Sequence, residues 1–236
     1  MDGIRLASRL PFRDVSERTA ADRREELVAL YHEVQGCQRC PLAATRTNPV
    51  FGMGNADADL MFVGEAPGAE EDRQGKPFVG RAGKLLDQLL AGIGMDRRHD
   101  AFVANVLKSR PPGNRDPQPE EIETCKPYLM RQIQLIEPAV ICTLGNFATK
   151  LLTGSPVGIT RVRGRPQEHE VAGVPVLIYP LFHPAAALRT PAVLEQLRQD
   201  FAGIPELLTR RTTPDPEPAL AQTPTAAEPA QLDLLA

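Results

Sequence analysis

Three polar side chains stand close to the ends of apolar, strand-like runs in this sequence. Glu65 lies in a glycine-rich loop after the first run, Asn105 ends the second, and His183 follows the fourth and precedes a proline. Phe78, in a Gly/Pro-rich stretch just after the loop, adds a flat aromatic ring. Carboxylate, amide and imidazole groups donate, accept and move protons. Such groups at the ends of parallel strands predict a pocket for a flat polar molecule.

Each of these residues also has an ordinary structural explanation. Glycine-rich loops often serve turn geometry alone, and an asparagine at a strand end can satisfy the backbone of a turn. The argument for a site is therefore convergence, because four unlike groups reach one rim only if their strands lie in one sheet. The remaining histidines stand in polar, helix-end or loop contexts and are interpreted as surface residues: His32, His99 and His169.

The elements that must position these groups follow an alternating pattern. Apolar runs predict strands at residues 60–63, 101–106, 139–144 and 176–181. Apolar residues at helical spacing predict helices at residues 25–34, 85–90, 120–136 and 146–152, and a weaker one at 192–208. Strands that alternate with helices predict an α/β fold whose parallel sheet is covered on both faces.

Composition limits the class of protein. With 236 residues and 42% hydrophobic content, the chain can bury a substantial core in one domain. No window approaches about 18 consecutive apolar residues, so no membrane span is expected. The N-terminal region lacks the apolar core of a signal peptide, which favours a cytoplasmic location. We expect a loosely held lead-in at residues 1–24, a globular domain at 25–208 and a disordered Pro/Ala-rich tail at 209–236.

The net charge of −3 hides an uneven distribution. From Thr212 onward the chain has four acidic residues and no Lys or Arg, which leaves a net charge of +1 for the rest. Basic residues cluster near the loops of the candidate site, as a rim that contacts phosphates would. They are Lys76, Arg81, Lys84, Lys108, Arg110 and Arg115.

The chain has four cysteines, Cys37, Cys40, Cys125 and Cys142. In a reducing compartment a CxxC pair indicates metal binding or redox chemistry rather than a disulfide. Redox pairs usually open a helix after a strand, whereas this pair follows a predicted helix. A structural zinc usually takes two close pairs, and the wide spacing of the second pair suits an iron–sulfur cluster better. Cys125 and Cys142 are equally interpretable as ordinary buried cysteines, so spacing alone leaves cluster, zinc and no metal open.

Several motifs, in order, resemble family 4 uracil-DNA glycosylase, the iron–sulfur type found in bacteria and archaea. They are the CxxC pair, GEAPG from Gly64, EDRQGKPFVGRAG from Glu71, NVLKSRPPGNRDP from Asn105 and HPAAALR from His183. The resemblance covers residues 25–208. It implies a three-layer α/β/α fold with a central four-stranded parallel sheet, excision of uracil from DNA to leave an abasic site, and one [4Fe-4S] cluster.

The resemblance also implies roles for the pocket residues. Phe78 would stack on a uracil rotated out of the DNA, and Asn105 would hydrogen-bond the Watson–Crick edge of the base. His183 would stabilise negative charge on uracil O2. The catalytic set is His183, Glu65 and Asn105; the substrate-binding set adds Gly64, Ala66, Phe78 and Glu71, of which Glu71 would exclude the methyl group of thymine.

Predicted DNA contacts surround this pocket. Ala187, Leu188 and Arg189 end the histidine motif and are expected to form a wedge that fills the gap left by the flipped base. The alternative interpretation of Leu188 is a core residue at the start of a helix. The full predicted set is Arg81, Lys108, Arg110, Leu188 and Arg189.

Two positions depart from the patterns of known glycosylases. Family members commonly have a cysteine directly after the Lys of the Asn-Val-x-Lys motif, where this chain has Ser109. Our hypothesis is that Cys142 replaces that thiolate and completes a cluster with Cys37, Cys40 and Cys125. The alternatives are ligation by Ser109 or water, or a labile three-cysteine cluster. Separately, Ala66 stands where family 1 enzymes have an aspartate that positions water, and Glu65 or Glu71 would have to substitute.

The chain ends in QLDLLA, which resembles the short peptide by which bacterial repair and replication proteins bind the sliding clamp. Gln231, Leu232, Leu234 and Leu235 would enter pockets of the clamp at the end of a disordered tether. A chance apolar end is the alternative. A monomer is the default for the family.

Three alternatives to uracil turnover stay open. A superfamily relative that is trapped covalently on uracil DNA would have an inserted basic loop ending in histidine, which RPPGNRDP lacks. A non-catalytic Fe–S nucleic-acid-binding module would leave no abasic product. A related glycosylase would act mainly on another deaminated base.

Overall fold

The computed structural model of the protein describes residues 19–212, with side chains described up to Thr209. Residues 1–18 and 213–236, including the predicted clamp peptide, lie outside the described residues. Helix α1 (Ala20–Gln35) begins inside the predicted lead-in because Thr19 and Asp22 form a capping box at its start. Helix α9 (Ile204–Thr212) extends past residue 209, where the tail was predicted to begin.

Among residues 19–212, six strands form one sheet: β1 (Met53–Gly54), β2 (Leu60–Gly64), β3 (Ala101–Asn105), β4 (Val140–Leu144), β5 (Gln167–Val171) and β6 (Val174–Leu181). Their spatial order is β1-β3-β2-β4-β6-β5. The four central strands, β3, β2, β4 and β6, run parallel, as the sequence predicts. The predicted sheet is incomplete, because antiparallel β1 and β5 flank it at its two edges.

The two edge strands lack the sequence signal of a buried strand. β1 has only two residues, and β5 carries polar side chains and is only partly buried. β5 joins β6 through Ala172 and Gly173, whose backbones are both left-handed at φ 55° and 81°. This two-residue turn is the geometry that closes an antiparallel hairpin.

Helices cover both faces of the sheet and give the predicted three layers. Along β2, Met61 and Val63 pack into one core cluster, whereas Leu60 and Phe62 pack into the other. Residues of α1, α4 and α5 contribute to the first cluster, and residues of α3, α8 and α9 to the second. The remaining helices are α2 (Ala69–Gln74), α3 (Arg81–Gly92), α4 (Pro119–Ile136), α5 (Asn146–Thr153), α6 (Ile159–Val162), α7 (Pro184–Ala187) and α8 (Pro191–Ala202).

The helix predicted at residues 192–208 is two helices, α8 and α9, which are separated at Gly203. The short helices α2, α6 and α7 were not predicted, because six residues or fewer carry no periodicity that can be recognised. Within residues 19–212, no helix combines the length and the apolar character needed to cross a bilayer.

Strand register brings the predicted site residues to one edge of the sheet. The last residue of β2, Gly64, pairs with Asn105, the last residue of β3. Leu144 at the end of β4 likewise pairs with Leu181 at the end of β6. Glu65 directly follows β2 and His183 stands two residues after the end of β6, so both lie at the same carboxyl edge as Asn105.

Candidate active site

A cavity of about 350 Å³ opens at the carboxyl edge of the parallel strands. Glu65, Phe78, Asn105 and His183, which the sequence places in different motifs, all line it. Ala66 and Glu71 line it as well. The volume lies within the range of small-molecule sites, so the cavity can hold a single flat ring. Gly68, at the start of the stretch expected to crowd the ring edge, lines the cavity too, and further lining residues were not among the predicted pocket residues: Pro67, Ala82, Pro111, Asn114, Arg115 and Ala185.

Phe78 forms an aromatic wall of the cavity and has an unusual backbone. Its φ of 51° lies in the left-handed region, which bulky residues rarely adopt. Arg97 Nη1 donates a hydrogen bond to Phe78 O at 2.8 Å, and a Cβ at Gly83 would lie 1.7 Å from that oxygen. The Phe78 ring is buried, with its centroid 5.8 Å from that of His183. The strained conformation is thus held in place by close packing, as is common at binding sites.

Asn105 carries an unused hydrogen-bond acceptor at the cavity. Its Oδ1 is buried and has no hydrogen-bond partner among the described residues. Leaving such a group unpaired costs about 1–3 kcal/mol, so the unpaired oxygen indicates a place for the donor of a ligand. Gly64 is required beside it, because a Cβ there would lie 2.4 Å from Asn105 Oδ1 and 2.8 Å from Phe78 Cζ.

Lys108 was predicted to contact DNA, and that prediction is wrong. The residue is 2% exposed, and its Nζ donates to Asn105 O and to Gln132 Oε1, each at 2.7 Å. Gln132 in turn donates to Phe51 O at 2.9 Å. Burial lowers the pKa of Lys108 to about 7. Lys108 therefore supports the backbone of Asn105 from the protein interior.

His183 is the N-cap of helix α7. Its Nδ1 accepts a hydrogen bond from the Ala185 N–H at 3.1 Å. Because Nδ1 accepts, a neutral ring must carry its proton on Nε2. Burial lowers the pKa of His183 to about 4, although the Glu71 carboxylate opposes the shift. The residue can therefore act as an uncharged donor at neutral pH.

The two carboxylates of the cavity have different surroundings. Glu71 Oε1 accepts hydrogen bonds from the N–H groups of Val79, at 3.0 Å, and Gly80, at 2.9 Å, where α3 begins. Glu71 thereby holds the segment that carries Phe78. No hydrogen bond joins the Glu65 carboxylate to another described residue, and burial, aided by the charge of Asp116, raises the pKa of Glu65. Glu65 is thus the carboxylate left available to a substrate.

The loop after β3 closes one side of the cavity. Arg115 donates to both carboxylate oxygens of Glu121, at 2.9 and 2.6 Å, and this ties the loop to α4. Arg110 Nε donates to Asn114 Oδ1 at 2.8 Å within the loop. Sequence reasoning recognised the loop as a motif but did not identify Asn114 and Arg115 as lining residues.

The predicted DNA wedge lies just after α7. Leu188 is 38% exposed, which is high for a large apolar side chain. Arg189 next to it and Arg81 at the start of α3 are exposed as well. Their exposure leaves them available to DNA, and their contacts with DNA stay a prediction.

Three cysteines converge and the fourth does not. Cys40 and Cys125 lie in the core cluster that contains residues of α1 and α4, Cys37 packs against it, and both Cys37 and Cys40 act electrostatically on Cys125. Cys142 is fully buried in the other cluster, beside Phe62 on the opposite face of the sheet. The hypothesis that Cys142 supplies the missing ligand is therefore wrong, because the sheet itself separates it from the other three thiols.

Hydrogen-bond donors lie near two of the three thiols that converge, those of Cys37 and Cys125. Burial raises the pKa of Cys37, but hydrogen bonds with Tyr128 and Arg39 outweigh it and lower that pKa overall. The backbone N–H of Lys108 donates to the Cys125 thiol, whose pKa is nevertheless raised by burial. All four cysteines are free. No three His, Cys, Asp or Glu side chains in the described part lie close enough to share one metal ion.

The sheet edge thus defines a site for a flat ring with hydrogen-bonding groups, as in proteins that bind a nucleobase. Comparison with known proteins identifies the family. The family model "Uracil DNA glycosylase superfamily" matches residues 51–202. The chain therefore belongs to the uracil-DNA glycosylase superfamily and, on the relatives described next, to its type-4 family.

The relatives are similar over most of their length. The chain is 46% identical over 191 residues to the Type-4 uracil-DNA glycosylase of Archaeoglobus fulgidus, which covers 79% of this chain and 96% of that protein. It is 44% identical over 191 residues to the Type-4 enzyme of Saccharolobus solfataricus, covering 79% and 88%. It is 49% identical over 168 residues to that of Thermotoga maritima, covering 70% and 85%. The resemblance recognised from the motifs is confirmed.

Proposed function

We propose that the protein removes uracil from DNA by hydrolysing the bond between C1′ of deoxyribose and N1 of the base. The observation that carries this proposal is the buried, unpaired Oδ1 of Asn105 in a cavity bordered by Phe78 and His183. A base inside a duplex cannot reach such a cavity, so it has to be rotated out of the stack first.

Asn105 would select uracil by its donor and acceptor pattern. Its Oδ1 would accept from uracil N3–H, and its amide N–H would donate to O4. Cytosine presents an acceptor at N3 and a donor at position 4, so both pairs would be mismatched. Glu71, held rigidly by the N–H groups of Val79 and Gly80, would crowd the ring edge where thymine carries its methyl group.

His183 would stabilise the negative charge that develops on uracil O2 as the bond to C1′ lengthens. Its Nε2–H is free to donate because Nδ1 is occupied by the Ala185 N–H. A neutral donor placed at the developing charge contributes about 2.7–4 kcal/mol to transition-state stabilisation. Glu65, whose carboxylate is not engaged elsewhere, would stabilise the cation-like sugar and orient the attacking water.

The activity is tested by incubating the purified protein with oligonucleotides that contain U, hypoxanthine or T, single-stranded and in duplexes. We expect alkali-labile abasic sites at U only. Leu188→Ala should slow excision from duplexes more than from single strands, because only a duplex leaves a gap to fill. Absence of strand cleavage at U after alkali would contradict the proposed function, and preferential cleavage at hypoxanthine would reassign the lesion.

We further propose that Cys37, Cys40 and Cys125 hold a [4Fe-4S] cluster. Three thiols converge, and Arg39 and the nearby Arg46 place positive charge beside the segment that carries Cys37, where it would stabilise thiolate ligands. A [4Fe-4S] cubane takes each protein ligand on a different iron, so its thiolates need not meet at a single ion. The cluster would fix the segments around α1 and α4 and take no part in the chemistry of the base.

Free thiols of this kind suit a reducing compartment, and we expect a cytoplasmic monomer. Cell fractionation and light scattering check both points. A periplasmic or secreted protein, or a stable dimer, would contradict them.

The C-terminal peptide is proposed to bind the sliding clamp through Gln231, Leu232, Leu234 and Leu235. Deletion of residues 231–236 should abolish co-purification with the clamp and leave excision from naked oligonucleotides unchanged. Deletion of residues 222–227, which shortens the tail and keeps its end, is the matched control. Equal clamp binding by both deletions would reject the peptide as the binding element.

A further inference from the structure

A buried serine, Ser109, is linked to the segments that carry two of the three converging thiols, Cys37 and Cys125. Ser109 directly follows Lys108, whose backbone N–H donates to the Cys125 thiol. Ser109 is 2% exposed. Burying a serine hydroxyl costs free energy unless the hydroxyl finds a partner in the interior. Its position brings the buried oxygen to the same core region as Cys125.

Arg46 links this hydroxyl to the CxxC segment. Arg46 Nη1 donates to Ser109 Oγ at 3.0 Å, and Nη2 donates to Cys37 O at 2.5 Å. One guanidinium therefore fixes the distance between the hydroxyl and the backbone of a cluster cysteine. No carboxylate among residues 19–209 forms an ion pair with Arg46. The positive charge of the guanidinium therefore acts on the groups it contacts, Ser109 Oγ and the backbone of Cys37.

We infer that Ser109 Oγ is the fourth ligand of the iron–sulfur cluster, in a three-cysteine, one-serine set with Cys37, Cys40 and Cys125. This inference rests on the proposed cluster. Cys142 is excluded because the sheet separates it from the other thiols. In forming the bond, Ser109 loses its hydroxyl proton to solvent, and the oxygen donates an electron pair to iron while water leaves that iron. The oxidation states of the cluster do not change.

Arg46 explains why an oxygen, rather than a thiolate, can bind the iron next to Ser109. A guanidinium that donates to the serine oxygen stabilises it in its anionic form, as charge-assisted hydrogen bonds do. An iron held by oxygen rather than sulfur differs electronically from the three held by thiolates. The geometry thus points to one iron that differs from the other three. On oxidation this iron should leave the cluster faster than an iron bound by cysteine, but more slowly than an iron with no protein ligand.

The experiment compares wild type with Ser109→Ala, Ser109→Cys and Cys142→Ala, purified without oxygen. Iron and sulfide per chain are measured before and after a limited oxidation, and the [3Fe-4S] product is followed by electron paramagnetic resonance. We expect the distinct iron to be lost at least tenfold faster from Ser109→Ala than from wild type. Ser109→Cys should lose it more slowly than wild type, and Cys142→Ala should match wild type.

Mössbauer spectra of the wild type and of Ser109→Cys keep the inference testable if Ser109→Ala fails to fold. One iron with distinct parameters should appear in the wild type and disappear in Ser109→Cys. Equal rates of iron loss from wild type and Ser109→Ala, or identical Mössbauer spectra of wild type and Ser109→Cys, would overturn the assignment. Loss of iron on Cys142→Ala would do so as well. An iron-free wild type that still excises uracil would reject the cluster and leave the proposed activity standing.

Discussion

His183→Ala is expected to lower the rate of uracil excision by about 10²–10³-fold, the loss typical when one donor to a developing oxyanion is removed. The reason is geometric, because His183 Nδ1 is committed to the Ala185 N–H and only Nε2–H remains to meet uracil O2. The loss should appear in kcat, since charge on O2 develops only in the transition state. Single-turnover kinetics on single-stranded uracil DNA measure it.

His183 also caps α7, and two controls separate this structural role from the catalytic one. Serine is a good N-cap but is too short to carry the donor to the ring, so His183→Ser should restore stability and stay slow. The exposed His99 supplies the control His99→Ala, which should be unaffected. Near-normal excision by His183→Ser would mean that His183 only caps α7 and has no catalytic role.

The pH dependence follows from the state of the same ring. Because burial lowers the pKa of His183 to about 4, the neutral donor stays dominant as the pH falls through about 6.5, where a free histidine protonates. Wild-type kcat should therefore show no inflection at that pH caused by His183. Because burial raises the pKa of Glu65, its carboxylate protonates at a higher pH than a free glutamate does, so activity lost on the acidic side should be altered in Glu65→Gln.

The architecture of the site follows from the sequence because its signals are local. Apolar runs identify the four central strands, and the parallel arrangement of those strands brings Glu65, Asn105 and His183 to one edge. Phe78 could be predicted from the glycines and proline around it. Its left-handed backbone could not, since that conformation depends on Gly83 and Arg97, which pack against it from α3 and beyond.

The two wrong predictions, for Lys108 and Cys142, concern the direction in which a side chain points from its backbone. Lys108 is a basic residue next to a loop that was predicted to contact DNA, yet its ammonium group points inward to Asn105 O and Gln132, which only the tertiary structure brings together. Successive side chains of β4 point to opposite faces of the sheet, and Cys142 points to the face away from the other cysteines. Which face a given strand residue takes depends on how the helical layers pack on the sheet. Neither contact has a signature in the spacing of residues.

Asn105→Ala is the second variant with a large expected effect. Removing the amide leaves both N3–H and O4 of the flipped uracil without partners in a buried site, at about 1–3 kcal/mol for each group. If both losses persist in the transition state, excision should fall between about 30-fold and about 10⁴-fold. The loss should appear in kcat/KM on single-stranded uracil DNA, and Asn55→Ala, which removes an amide bonded to His99 O away from the cavity, is the matched control.

Asn105→Asp separates base reading from a general loss of packing. The carboxylate is nearly isosteric with the amide and retains the acceptor for N3–H, but it places a second acceptor against uracil O4. Excision of uracil should therefore fall although the cavity keeps its shape, and the Lys108 contact is unaffected because it is made to the backbone oxygen of residue 105. If Asn105→Asp and Asn105→Ala both excised uracil at near wild-type rates, the unpaired Oδ1 would have no part in recognising the base, and the proposed mode of substrate binding would have to be abandoned.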